Sequence, residues 1–229
     1  MHRLPQKKEA KQSVNVKLQA LTMAICLAGF GQLPILAHGQ PTDLTSARHH
    51  HFSGAEIVKP AVPRIQLSIL LDTSGSMDGL LDQTRAQLWQ MVDEFAKAKK
   101  NGINSQLEVA VYEYGNDGLS SRQGYIRQVT GLTTDLDLVS EALFSLSTNG
   151  GSEYCGFAID TAVRQLQWSH SEQDIKAIFI AGNEAFSQGP VPFAEAIAAA
   201  KSQGITVNTI FAGNYQQGTS AGWQPGALL

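Results

Sequence analysis

Cysteine is nearly missing from this chain, which has two in 229 residues, Cys26 and Cys155. That excludes a fold stapled by a disulfide framework. Charge is sparse as well, at 16% of residues with a net of −3, so no basic field invites nucleic acid. Histidine is lacking where a catalytic base would be needed, because His170 is the sole one after His51. There is no G-x-S-x-G nucleophile elbow and no phosphate-cradling glycine loop, which removes the common serine-hydrolase and nucleotide-binding readings. What is plentiful is apolar surface: 43% hydrophobic residues exclude wholesale disorder and suit one ordinary domain plus extensions.

The charge is unevenly placed. Arg3, Lys7, Lys8, Lys11 and Lys17 face a single acid, Glu9, before residue 20, leaving 12 basic and 19 acidic residues from Gln40 onward. The basic head runs into "LQALTMAICLAGFGQLPILAHG", an apolar core with small residues near its end. This is the pattern of a secretory signal peptide over residues 1–39. Cleavage after Gly39 puts Ala37 at −3, and cleavage after Ala37 competes with it. An uncleaved membrane anchor from Leu18 to Ala37 is the alternative, but Gly29, Gly31, Pro34 and the polar Gln32 interrupt it. Ile25 before Cys26 argues against a lipoprotein. Loss of the leader leaves Cys155 as the sole cysteine in an oxidising destination, either a buried apolar thiol or a free reactive one. Residues 40–63 carry Pro41, Pro60 and Pro63 without apolar periodicity and read as a linker. His49, His50 and His51 lie within it, too flexible for a preorganised metal site.

A domain over residues 64–229 follows. "IQLSILL" (65–71) is a nearly continuous apolar run, as a parallel strand buried on both faces requires. "LLDQTRAQLWQMVDEFAKAKK" then places Leu81, Leu88, Val92 and Phe95 at helical spacing. "QLEVAVYEYG" (106–115) and "YIRQVTGL" (125–132) predict a hairpin. A helix opening on a capping-box-like pair, Thr134 and Asp137, and a second helix, "GFAIDTAVRQLQW", come next. "IKAIFIAG" (175–182), a helix ending at Gly204 and "ITVNTIFAG" (205–213) complete the alternation. The pattern predicts an α/β fold: a doubly wound, mostly parallel sheet flanked by helices, with one antiparallel edge.

The first strand ends in "LLDTSGSM". Asp72, Ser74 and Ser76 set three hard oxygen groups at alternate positions of a tight turn. In open α/β sheets ligands bind beyond the carboxyl ends of the strands. One carboxylate and two hydroxyls suit Mg²⁺, with Mn²⁺ or Ca²⁺ as alternatives, and do not suit a soft-ligand metal. Such a cation keeps uncompensated charge that a partner's carboxylate could meet. The plain alternative is that these residues cap a helix, with Asp78 and Asp82 favouring its dipole.

"LLDTSGSM" on this βα framework resembles the von Willebrand factor type A (vWA) domain family, over about residues 64–213. The leader and "NGGSEYCG" are most similar to its bacterial secreted branch. Asp72, Ser74 and Ser76 match the D-x-S-x-S of the family's metal-ion-dependent adhesion site. The resemblance implies a doubly wound fold and Mg²⁺-dependent protein binding, usually without catalysis. A second loop usually offers a threonine, and Ser152 stands in that register. A third loop usually reads T-D-G, but here Gly182 occupies the aspartate's place, with Asn183 or Glu184 as substitutes. The family's final strand and helix also have no counterpart in "NYQQGTSAGWQPGALL", so an uncovered sheet edge open to association is expected.

Three functions follow. The first is a secreted or periplasmic module for metal-dependent protein binding or adhesion, with no membrane span once the leader is removed. The second is a metal-independent docking module in envelope assembly. The third is a hydrolase with Ser74 or Ser76 as nucleophile, which lacks a base.

Overall fold

The strand run at residues 65–71 is so apolar because it occupies the middle of the sheet. In the computed structural model, which describes residues 62–100, 102–213 and 215–220, β1 (Arg64–Asp72) is buried from Ile65 to its end. It pairs in parallel with β4 (Gln106–Tyr114) on one side and with β6 (Ile175–Gly182) on the other. The expected leader, the histidine cluster and all of the linker except its last two residues lie outside the described residues.

The sheet has five strands in the order β5-β4-β1-β6-β7. β5 (Ile126–Thr133) is the antiparallel edge beside β4, and β7 (Thr206–Phe211) lies parallel to β6. Connections from β1 run to both sides, so the strand order reverses at β1. This is the topological switch point of a doubly wound sheet.

Helices cover both faces. Ile65, Leu67, Ile69 and Leu71 point to one side and pack with Leu88 and Val92 of α1 (Leu81–Ala96) and Val139 and Leu143 of α2 (Leu136–Phe144). Leu70, Tyr112, Ile178 and Ile180 point to the other. There they meet Ile159 and Ala162 of α3 (Cys155–Gln165) and Ala196 and Ala200 of α4 (Phe193–Ser202). The period-2 alternation of each strand therefore feeds two separate cores.

Two local expectations need correction. α1 stops at Ala96 instead of running to Lys100. Lys99–Lys100 (β2) and Ile103–Asn104 (β3) form a small antiparallel ribbon, and Gly102 at φ +79° supplies its reversal. α2 is capped by Asp135, not by a Thr134–Asp137 pair. Asp135 Oδ1 accepts from the N–H groups of Asp137 (3.1 Å) and Leu138 (3.2 Å), the reach a carboxylate has from the N-cap position. Beyond β7 no further strand occurs among the described residues, and a six-residue helix, α5 (Tyr215–Ser220), follows.

At the end of the sheet where β1 begins, a polar clamp holds the strand. Gln66 donates to Glu108 (2.6 Å) and accepts from Ser169 N–H (2.7 Å), while Arg64 pairs with Asp174 (3.0 Å). Between this clamp and the strand's far end, Ser68 Oγ is fully buried with no hydrogen-bond partner. An unmet buried hydroxyl costs on the order of 1–3 kcal/mol. Ser68→Ala is therefore expected to stabilise the protein, by about 1 kcal/mol. Urea denaturation monitored by tryptophan fluorescence measures it, and a lower midpoint for the variant would contradict the account.

Candidate functional site

The end of β1 carries its last side chain, Asp72, into a place with no solvent exposure. Two glycines make room for it. A Cβ on Gly115, which follows β4, would lie 2.7 Å from Asp72 Oδ1, and one on Gly182, the last residue of β6, would lie 2.9 Å from Oδ2. Any larger residue at either strand end would displace the carboxylate.

The turn after Asp72 folds back on it. Asp72 Oδ1 accepts the Ser74 N–H at 2.8 Å, and Thr73 N–H donates to the Tyr114 carbonyl (2.9 Å). Ser74 is buried and Ser76 exposed, and their hydroxyls stand 3.0 Å apart. Ser76 gives its proton to Asn183 Oδ1 (2.8 Å), and Asn183 Nδ2 donates to the Ser76 carbonyl (2.9 Å). Because a hydroxyl has one proton and two acceptor sites, both serine oxygens keep lone pairs.

The helix-cap alternative fares poorly against this geometry. Ser74 precedes a short 3-10 turn, Gly75–Met77, and makes no side-chain capping bond, and α1 starts later from Leu80, also without one. Asp72 spends one oxygen on Ser74. Its other oxygen, Oδ2, is buried with no hydrogen-bond partner. A bare buried carboxylate oxygen is costly, and either a proton or a cation relieves it.

The second loop is fastened to the first. Asn149 N–H donates to the Thr73 carbonyl (2.9 Å), and Gly75 N–H donates to the Gly150 carbonyl. Ser152 follows two residues later, half-buried. Of the six residues expected from sequence, the structure joins Asp72, Ser74, Ser76 and Asn183 through hydrogen bonds. Ser152 and Glu184 lie half-buried in the two adjoining loops. The set of one carboxylate and neutral hydroxyls fits a hard divalent cation. No three His, Cys, Asp or Glu side chains gather as a metal cluster among the described residues.

Sequence reading gave no site role to three residues here. Gly115 shapes the pocket, and Tyr114 bridges it, its buried hydroxyl donating to the Ala181 carbonyl at 3.2 Å. Glu153 is the third, a carboxylate only 5% exposed whose Oε2 accepts from Gln188 Nε2 at 2.6 Å. Cys155, at the start of α3, is 1% exposed, and its sulfur lies 3.8 Å from Tyr114 Oη. Burial pushes its thiol up to about 12, so it is held protonated and unreactive.

Burial also pushes Asp72 up to about 6 from 3.8. Bonds from Ser74 oppose the shift, the Glu153 charge adds to it, and a weaker interaction with the Asn183 N–H opposes it as well. The sign follows directly. The folded state holds this proton more tightly than the unfolded chain, so the penalty is absent below about pH 4. It grows between pH 4 and 6 and is complete above that, at about 3 kcal/mol for a shift of this size. In chelator at pH 7, Asp72→Asn should accordingly be more stable than wild type, and at pH 4 the two should converge. Urea titrations across that range test it, and a constant difference between the two proteins would refute the burial argument.

A sequence profile described as the von Willebrand factor type A domain matches residues 66–219. Among solved structures, the chain is similar to proximal thread matrix protein 1 from the mussel byssus. The TM-score is 0.50 at 12% identity, over 66% of this chain and 36% of that one. A form of the same mussel protein with a zinc-occupied MIDAS motif matches at TM-score 0.50 and 13% identity, with the same coverage. The pilus adhesin SpaC from Lactobacillus rhamnosus GG aligns at TM-score 0.48 and 13% identity, over 65% of this chain and 24% of that one. This chain thus spans little more than a third of the mussel structures it matches. Identities this low speak to the fold alone. No curated protein matches the sequence. The profile covers most of the chain, its D-x-S-x-S residues stand at the switch point, and the sheet is doubly wound: the chain belongs to the von Willebrand factor type A domain family.

Proposed function

We propose that this protein is an exported vWA module that binds a protein partner through a divalent cation, Mg²⁺ in the first instance, held at the end of β1. The observation that carries the reading is Asp72 Oδ2: a fully buried carboxylate oxygen without a hydrogen bond, beside two serine hydroxyls with free lone pairs. Asp72, Ser74 and Ser76 would hold the cation, with Ser152 from the second loop and Asn183 or Glu184 from the third as further oxygen donors. Bound there, the cation would supply a Lewis-acidic position for a carboxylate offered by the partner. The site departs from the family pattern at Gly182, where the aspartate is missing, so a response in the millimolar range is expected.

A binding role is favoured over catalysis by the position of the histidine. His170 is exposed and follows Ser169, which bonds Gln66 near the start of β1, so it stands at the end of the sheet opposite the serines. No base is therefore available to activate Ser74 or Ser76 from that side.

One observation favours a second reading, docking without metal. Asn183 bonds Ser76 through both its oxygen and its nitrogen, which closes the serine face by itself. Thermal unfolding in chelator against graded Mg²⁺ and Mn²⁺ separates the two. A cation that binds only the folded state stabilises by RT ln(1 + [L]/Kd), about 2.7 kcal/mol at 100 times Kd. The melting temperature should rise with cation in wild type and in Asp78→Ala, but not in Asp72→Ala. A wild type indifferent to cation would hand the function to the metal-independent reading.

Export belongs to the same proposal and rests on the basic head and interrupted apolar core before residue 40. None of the described helices is long and apolar enough to cross a membrane. The mature protein should begin near His38 or Gln40 in the periplasm or medium. N-terminal mass spectrometry reads this directly, and Met1 retained in the membrane fraction would contradict it.

A further inference from the structure

We propose that Glu153 is the second carboxylate of the cation site, supplying from the second loop the charge that Gly182 does not. The inference rests on the cation reading above and assigns it a ligand outside the D-x-S-x-S turn.

The end of β6 has no space for an acid. A Cβ on Gly182 would lie 2.5 Å from Tyr114 Oη, 2.9 Å from Asp72 Oδ2 and 3.1 Å from Asp72 Cβ. These atoms are buried in the sheet and cannot yield without moving Asp72 itself. A side chain at Gly182 would collide with these atoms, so the end of β6 itself supplies no carboxylate.

Glu153 is the buried acid in position to provide it. It sits one residue beyond Ser152, in the loop fastened to the first by the Asn149–Thr73 and Gly75–Gly150 bonds. Its carboxylate is 5% exposed, yet no lysine or arginine pairs with it among the described residues, and its hydrogen bond is from a neutral amide, Gln188. Gln188 belongs to the loop after β6, so the third loop reaches the site by orienting this acid. Glu113, the other buried glutamate, shows the usual solution, an ion pair with Arg127 at 3.0 Å. Glu153 has none.

Two independent anomalies thus meet in one place: a carboxylate oxygen on Asp72 with no partner and a carboxylate on Glu153 with no counterion. The Glu153 carbonyl accepts the Cys155 N–H at 3.0 Å, and the Cys155 sulfur lies 3.8 Å from Tyr114 Oη. Tyr114 Oη and Asp72 Oδ2 close on the same side of Gly182, so this loop borders the Asp72 pocket, where the Glu153 charge acts on Asp72, Tyr114 and Cys155 alike. Like charges out of water repel, and burial adds to the cost of the Asp72 charge. One divalent cation would offset both negative charges, whereas a proton or a monovalent ion offsets only one.

The test uses the full chain and Mn²⁺ or Mg²⁺ alone as probe, read by calorimetric titration and thermal unfolding. Glu153→Gln keeps the shape and an acceptor for Gln188. It is expected to melt, without cation, at or above the wild-type temperature, and to bind Mn²⁺ at least tenfold more weakly. Glu153→Asp should recover part of that loss. Wild-type affinity in Glu153→Gln, with Asp72→Asn still failing to bind, would overturn the assignment while leaving the site itself intact. A cation-free Glu153→Gln that melts well below wild type would also overturn it, marking the residue as structural. If wild type binds neither ion, the cation reading and this assignment fall together.

Discussion

The pairing of β1 with both β4 and β6 is the constraint on which the rest depends. A strand with neighbours on both edges and helices on both faces has no route to water, so whatever side chain ends it is buried too. Here that side chain is a carboxylate. Removing Asp72 from water is unfavourable, and its surroundings are organised around that fact: glycines at the ends of β4 and β6 give it room, and the turn behind it offers one N–H. Buried charges of this kind are concentrated at functional sites.

The polar residues at the two ends of the sheet are treated differently, and the contrast supports a binding role for the strand-end loops. Near the start of β1, Gln66, Ser169, Asp174 and Arg64 satisfy one another in a closed network. That is the arrangement of a purely structural clamp. At the carboxyl end, Asp72 and Glu153 are buried with no lysine or arginine paired to them among the described residues, while Ser76 is exposed and tied to the third loop by Asn183. The first end is finished and the second is not.

Much of this was legible in the residues. The run "IQLSILL" marks a strand buried on both faces, and "IKAIFIAG" matches β6 residue for residue. Helix and strand therefore alternate visibly, and the carboxylate at the first strand's end reads as a strand-end ligand. Boundaries were harder. Lys97 to Lys100 continue a helical composition, yet the reversal at Gly102 draws Lys99 and Lys100 into a ribbon. Thr134 and Asp135 are both good caps, and their order along the chain does not say which backbone position each takes. Glu153 was out of reach for a deeper reason. "NGGSEYCG" has the composition of an exposed turn, and its acid is buried by contacts with loops that are distant in sequence. No local pattern announces a close approach between Gly75 and Gly150.

The order of the strands has a consequence for how the chain acquires its site. β1 comes first along the described chain, but its two partners come much later, and β6 follows every element of the second loop. Contacts of such long range form slowly, because loop closure must precede any gain from pairing. A nascent chain that has not yet made β6 already contains Asp72, Ser74, Ser76, Ser152 and Glu153, all of them in water with ordinary acidity. The motif is thus complete early in synthesis and chemically idle. The burial that raises the Asp72 pKa is acquired only when the central strand is enclosed, so the character of the strand end is set by topology and not by the local motif.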